Sequence, residues 1–306
     1  MKHRRHRKNR NRTLHIGLMA VLLSAAYTSS QTGWAASGSA AAATASASGA
    51  AFSQAGTRLT DGTGHEHHHA QEEGHKQSTT VQWSFMPKQP AAGNNTTIQL
   101  NFTDANGRPV QSFALNHERE IHLIAVSSDL SEFQHLHPVD EGQGHFTVDT
   151  VFPKGGAYKL FADFVPVGKS HQVAQSEVTV GGEAAAAESL APDKKLVQTA
   201  ENTVVSLQTG ELQAGKETSL AFSFKDAATG KPAQDMEPYL GAAGHVVIIS
   251  SDLRHYLHVH PKEGQTAGPE ALFETAFPAP GIYKLWGQFQ RHGDIFTASF
   301  TIKVGE

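Results

Sequence analysis

The sequence predicts an all-β protein: two tandem immunoglobulin-like β-sandwich domains behind a signal peptide and a disordered histidine-containing segment. Three observations carry this. The first is a repeat. "HLIAVSSDLSEFQHLHP" from His122 returns as "HVVIISSDLRHYLHVHP" from His245. "AAGNNTTIQLNFTDANGRPV" (91–110) returns as "QAGKETSLAFSFKDAATGKPA" (213–233), and "FPKGGAYKLFADF" (152–164) as "FPAPGIYKLWGQF" (277–289). The second is the texture of each copy: about seven short runs of Val, Ile, Phe, Thr and Leu, broken by Gly, Pro and Asp, the pattern of a sandwich of roughly 100 residues. The third is Gly-x-Tyr-Lys-Leu, at Gly156 to Leu160 and Gly281 to Leu285. It matches the Gly-x-Tyr opening a late strand in immunoglobulin-like sandwiches, where the tyrosine hydroxyl bonds back to an earlier corner.

Taken in order, residues 1–36 read as a secretory signal. "MKHRRHRKNRNR" is basic, Ile16 to Ala26 is apolar, and small residues follow up to Ala35 and Ala36. The apolar run is shorter than the roughly 20 residues that span a bilayer, so secretion to the cell envelope is expected over anchoring through an uncleaved signal. Removing this segment takes away seven Lys and Arg and leaves 18 basic against 29 acidic residues. An acidic exported chain is a poor match for nucleic acid. Residues 37–80 are Ala, Ser, Gly, Thr and His without apolar periodicity and are expected to be disordered. They hold "GHEHHHAQEEGH", whose His65, His67, His68, His69 and His75 read either as a loose chelating cluster or as a soluble spacer. The two domains are then expected at 81–182 and 203–306, joined by an Ala-rich, charged linker at 183–202.

The chain has 19 histidines and no cysteine. That excludes disulfides, thiolate nucleophiles and cysteine-bound metal. In each repeat a histidine precedes a His-x-His-Pro by the same interval: His122 with His135 and His137, and His245 with His258 and His260. A hairpin turning about Ser128 and Asp129 sets His122 across the ladder from His135, and His135 and His137, two apart on a strand, share a face. Three neutral imidazoles are a good ligand set for Cu(II) or Zn(II). The expectation is therefore a metal site in each domain, with copper favoured over zinc because export and the absence of cysteine suit it. The partner would be a transition-metal ion and, through it, a membrane or exported metalloprotein; no small-molecule substrate is evident.

"HLIAVSSDLSEFQHLHP" with "FPKGGAYKLFADFVP", and "YLGAAGHVVIISSDLRHYLHVHP" with "FPAPGIYKLWGQF", resemble the YtkA-like and FixH-like group of bacterial exported domains. The resemblance spans both repeats and implies small β-sandwiches associated with copper handling or cytochrome oxidase assembly. It matches at His122, His135, His137, His245, His258 and His260. This chain lacks the cysteine of a lipid anchor.

Two other functions compete. A non-catalytic extracytoplasmic interaction module would use the histidines as structural clasps. A cupin-like metalloenzyme would pair His-x-His with a following acid, and "HLHPVDE" offers Glu141, but Tyr158 and Tyr283 stand where a cupin needs its later histidine. The chain therefore reads as a metal-binding protein and not an enzyme.

Overall fold

The structure, a computed structural model, describes residues 79–184 and 190–306 apart from His260, Glu263 and Thr266. The signal, the tail with His65 to His75, and His260 lie outside the described residues.

The described residues form strands and no helix. The first sandwich comprises β1 (Thr79–Met86), β2 (Asn95–Asp104), β3 (Ile121–Ser127), β4 (Phe133–Leu136), β5 (Val139–Gly142), β6 (His145–Val151), β7 (Gly156–Phe164) and β8 (Gln172–Val180). One sheet runs β1-β2-β6-β5 and the other β4-β3-β7-β8. The second comprises β9 (Val197–Ala200), β10 (Thr203–Thr209), β11 (Glu217–Asp226), β12 (Met236–Glu237), β13 (His245–Ser250), β14 (Tyr256–Val259), β15 (Glu270–Ala276), β16 (Gly281–Arg291) and β17 (Asp294–Val304). Its sheets are β15-β11-β10-β9 and β14-β13-β16-β12, with β17 also pairing β16. All these pairings are antiparallel. This is the expected tandem pair of immunoglobulin-like sandwiches.

Period-two alternation builds each core. On β2, Ile98, Leu100 and Phe102 turn inward; on β11, Leu220, Phe222 and Phe224 do the same. Both corners close as expected: Tyr158 donates to the Lys154 carbonyl (3.0 Å) and Tyr283 to that of Ala279 (2.8 Å).

Two boundaries move. β1 begins at Thr79, inside the segment expected to be disordered to 80. The expected linker at 183–202 is partly sandwich: β9 pairs β10, and Asp193 exchanges backbone and side-chain bonds with Thr301 (both 2.8 Å). Leu190 and Leu196 pack against apolar clusters, which anchors a stretch whose composition otherwise reads as a spacer.

β3, β13 and β14 do not alternate; every residue on them is buried. An antiparallel strand buried on both faces needs a second covering layer. That layer is the other repeat. Ile124, Val126, Leu130 and Phe161 form one apolar cluster with Val247, Ile249, Tyr256 and Trp286. Phe133 stacks on Trp286 and Phe161 on Tyr256, each with centroids 4.8 Å apart. Phe133 occupies the place in the first repeat that Tyr256 holds in the second, and Phe161 corresponds to Trp286. The two stacks are thus one contact made twice, and the seam has a pseudo-two-fold axis, as a self-complementary interface does.

Candidate metal centre

Each β-hairpin that carries the histidines is set by the same turn, "SSDL". Ser127 Oγ donates to Asp129 Oδ1, and Ser250 Oγ to Asp252 Oδ1, both at 2.5 Å. Each serine oxygen also caps a backbone N–H five residues on, at Glu132 and His255 (both 2.9 Å). Leu130 and Leu253 take left-handed conformations, with φ of 58° and 60°. This turn pairs Val126 with Phe133 and Ile124 with His135. The register therefore differs from the expected one: His122 is diagonal to His135, not opposite it, because the loop also takes in Leu130 and Ser131, and the ladder resumes where Ser127 N–H donates to the Glu132 carbonyl (3.1 Å). Period two still places His122 and His135 on one face.

That face is the seam. His122, His135 and His137 each offer a ring nitrogen within 4.8 Å of the others, the one such group of His, Cys, Asp and Glu among the described residues. His245 and His258 come to the same seam from the second repeat, their rings 5.9 Å apart. The described histidines of both repeats thus meet at the seam; His260, the third histidine of the second expected centre, lies outside the described residues.

The outer nitrogens of the rings lie against oxygen acceptors; the carbonyls and the carboxylate assign the tautomers of His122, His245 and His258, and the Gln288 amide sets that of His135 in the orientation that points Oε1 at the ring. His122 Nε2–H donates to the Asn116 carbonyl (2.8 Å) and His245 Nε2–H to that of Tyr239 (3.1 Å), in each case six residues upstream. His135 Nδ1–H donates across the seam to Gln288 Oε1 (2.7 Å), and His258 Nδ1–H donates back to Asp163 Oδ2 (3.1 Å). Gln288 pairs with His245 on β16 and Asp163 with His122 on β7, so these two bonds are also a pseudo-symmetric pair. Inside the cluster, His122 Nδ1 lies 2.9 Å from His135 Nε2. With both outer nitrogens protonated, two lone pairs meet there, and a cation between them removes the repulsion. His137 Nε2 is buried without a hydrogen-bond partner.

Burial favours the neutral imidazoles that a metal needs. It pushes His122 down to about 3 and His137 to about 4, and holds His135 and His245 well below the ordinary histidine value. Asp163 behaves oppositely. Burial would raise it, but the adjoining His171 and then His258 overcome this and hold it well below the carboxylate range. His171 Nε2–H donates to its Oδ1 (2.5 Å), Tyr256 donates to its Oδ2 (3.3 Å), and the carboxylate raises His171 in turn against the effect of burial.

Sequence reading alone missed Asp163 and Gln288 as members of the site, and left His171 as one of several histidines on nearby loops. The signal for Asp163 and Gln288 was present: "FADF" and "WGQF" align, and both polar residues interrupt apolar strands. Glu141 lies on β5 and bonds Thr147 (3.0 Å). Met86 is exposed, whereas Met236 is buried in the second core.

Among the described residues no helix is long and apolar enough to cross a membrane. No curated protein matches the chain. Solved structures it is similar to include the Escherichia coli adhesin FdeC, at 16% identity and a TM-score of 0.26, covering 75% of this chain and 64% of that one. A tetra-tandem repeat from the extending region of a large adhesion protein matches at 7% and 0.23, covering 74% and 49%. Domains 4 and 5 of the S-layer protein SbsC match at 12% and 0.23, covering 71% and 92%. The chain spans about two thirds of the first of these and half of the second. At such scores the architecture rests on the strand pairings themselves. A family model described as a domain of unknown function, DUF8832, matches residues 64–182 and again 198–306, and the chain belongs to that family, carrying its domain twice.

Proposed function

We propose that this chain is an exported, non-catalytic module that binds a transition-metal ion, copper by preference, through His122, His135 and His137. The observation that carries the reading is the 2.9 Å approach of two imidazole nitrogens whose partner nitrogens are already committed to oxygen acceptors. Two metal–nitrogen bonds of about 2.0 Å at roughly a right angle span about that distance, which suits tetragonal Cu(II) better than tetrahedral zinc. Anchored outer nitrogens are the usual support of metal-binding histidines. The resemblance to YtkA-like and FixH-like domains supports the same metal. Closure of the two sheets over the rings, with His122 fully buried, favours holding an ion over turning over a substrate. The apolar leader at Ile16 to Ala26 supports a place outside the cytoplasm.

A second reading, an interaction module with structural histidines, draws on the cross-seam bonds. If Gln288 turns its amide, its NH₂ donates to His135 Nδ1, and His135 Nε2–H then donates to His122 Nδ1. The same 2.9 Å becomes an ordinary hydrogen bond in a clasp. The test is metal analysis of full-length protein in which His65, His67, His68, His69 and His75 are replaced by alanine, dialysed against Cu(II) or Zn(II). The metal reading expects a bound ion that His135→Ala removes. A protein that stays empty, with nitrogen NMR reporting a protonated His135 Nε2, leaves the clasp.

A further inference from the structure

The seam brings a fourth imidazole to the triad. The ring of His258 lies 4.9 Å from that of His122 and 5.6 Å from that of His135. Approaches within the triad are 5.1 Å for His122 with His135, 5.2 Å for His122 with His137 and 4.6 Å for His135 with His137. A histidine of the second repeat is therefore as close to His122 as its neighbours on its own sheet. His258 is buried, and its Nδ1–H is committed to Asp163 of the first repeat. In the neutral ring Nε2 then carries the lone pair, the tautomer of a ligand. Asp163 is itself fixed by His171 and Tyr256, a carboxylate–histidine arrangement that holds a ligating ring in orientation.

We infer that the ion is bound across the seam, with His258 as a fourth ligand beside His122, His135 and His137. It thereby clamps the two sandwiches, and the folded pair takes one ion rather than one per repeat. This rests on the metal reading above. His258 stands outside the group whose ligand atoms lie within 4.8 Å, so loading draws it inward and tightens the seam.

The test uses the full chain without its tail histidines, titrated with Cu(II), and compares it with His258→Gln. Glutamine keeps an N–H for Asp163 but supplies no imidazole. The expected results are one ion per chain, a four-nitrogen paramagnetic resonance spectrum, and binding at least about tenfold weaker in the variant with one nitrogen fewer. Hydrogen exchange on β14 should slow when the wild type is loaded. Wild-type affinity and spectrum in His258→Gln, or two ions of equal affinity per chain, overturn the clamp and leave the triad standing. A wild type that binds nothing overturns the triad reading itself. Should His258→Gln fail to fold, exchange in the wild type decides: slowing on β4 with β14 unchanged overturns the clamp.

Discussion

In the first sandwich His122, His135 and His137 gather their nitrogens into one group, whereas in the second His245 and His258 stand further apart and His258 turns to an acid of the other repeat. The spacing in sequence is the same. The two repeats also differ at one register position, Asp163 opposite His122 and Gln288 opposite His245. A carboxylate in this position adds a charge that needs His171, His258 and Tyr256 around it; an amide needs none of them. The duplicated motif thus keeps its spacing while the polar neighbour beside it changes.

The part the halves share is the stacked seam, and breaking it has the largest expected effect. Trp286→Ala and Phe161→Ala should each cost about 3–5 kcal/mol, read from denaturant midpoints, because each leaves a buried cavity and strips a stacked ring. Near-equal losses support the pseudo-two-fold; a loss confined to one side would break it. The next effect sharpens the contrast. Asp163→Ala removes the acceptor of three donors and should cost about 3 kcal/mol, whereas Gln288→Ala should cost about 1 kcal/mol. Equal costs would mean that the charge at Asp163 is not what separates the halves.

Acid should act mainly through the neutral histidines. His122 and His137 are depressed, so the unfolded chain takes up protons below about pH 6.5 that the folded chain refuses. Stability of the metal-free protein should fall by about 1.4 kcal/mol per pH unit for each such group between pH 6.5 and about 4. His171 has the opposite sign: its pairing with Asp163 stabilises fully below pH 6.5 and is lost as pH rises through its raised value. Thermal midpoints that stay flat from pH 7 to 4 would show that the rings are charged in the folded state. The smallest expected effect is at the turns. Ser127→Ala and Ser250→Ala should each cost about 1 kcal/mol and equally, since both oxygens cap the same backbone position.

Much of this was legible in the sequence. The repeat set two sandwiches, and period two put His135 and His137 on one side of a strand before any coordinate was known. The register of the hairpin was not legible, because "SSDL" closes through side-chain bonds and a left-handed Leu130, to which alternation is blind. The seam was missed for another reason. "HLIAVSS" and "HVVIISS" are apolar on both faces, and a strand covered on one side by its own sandwich must be covered on the other by something else. Reading both as ordinary core hid that demand, and with it the meeting of the two histidine sets.

The pseudo-two-fold seam also bears on how firmly the halves must hold each other. Two separate sandwiches with this face would associate only as fast and as far as their abundance allows. Carried on one chain, with β8 and β9 leading from one to the other, they meet at an effective concentration in the millimolar range. A seam of modest intrinsic affinity is then closed most of the time. It can lose a contact on one side without coming apart. That latitude lets Asp163 and Gln288, or Phe133 and Tyr256, diverge while the interface they share persists.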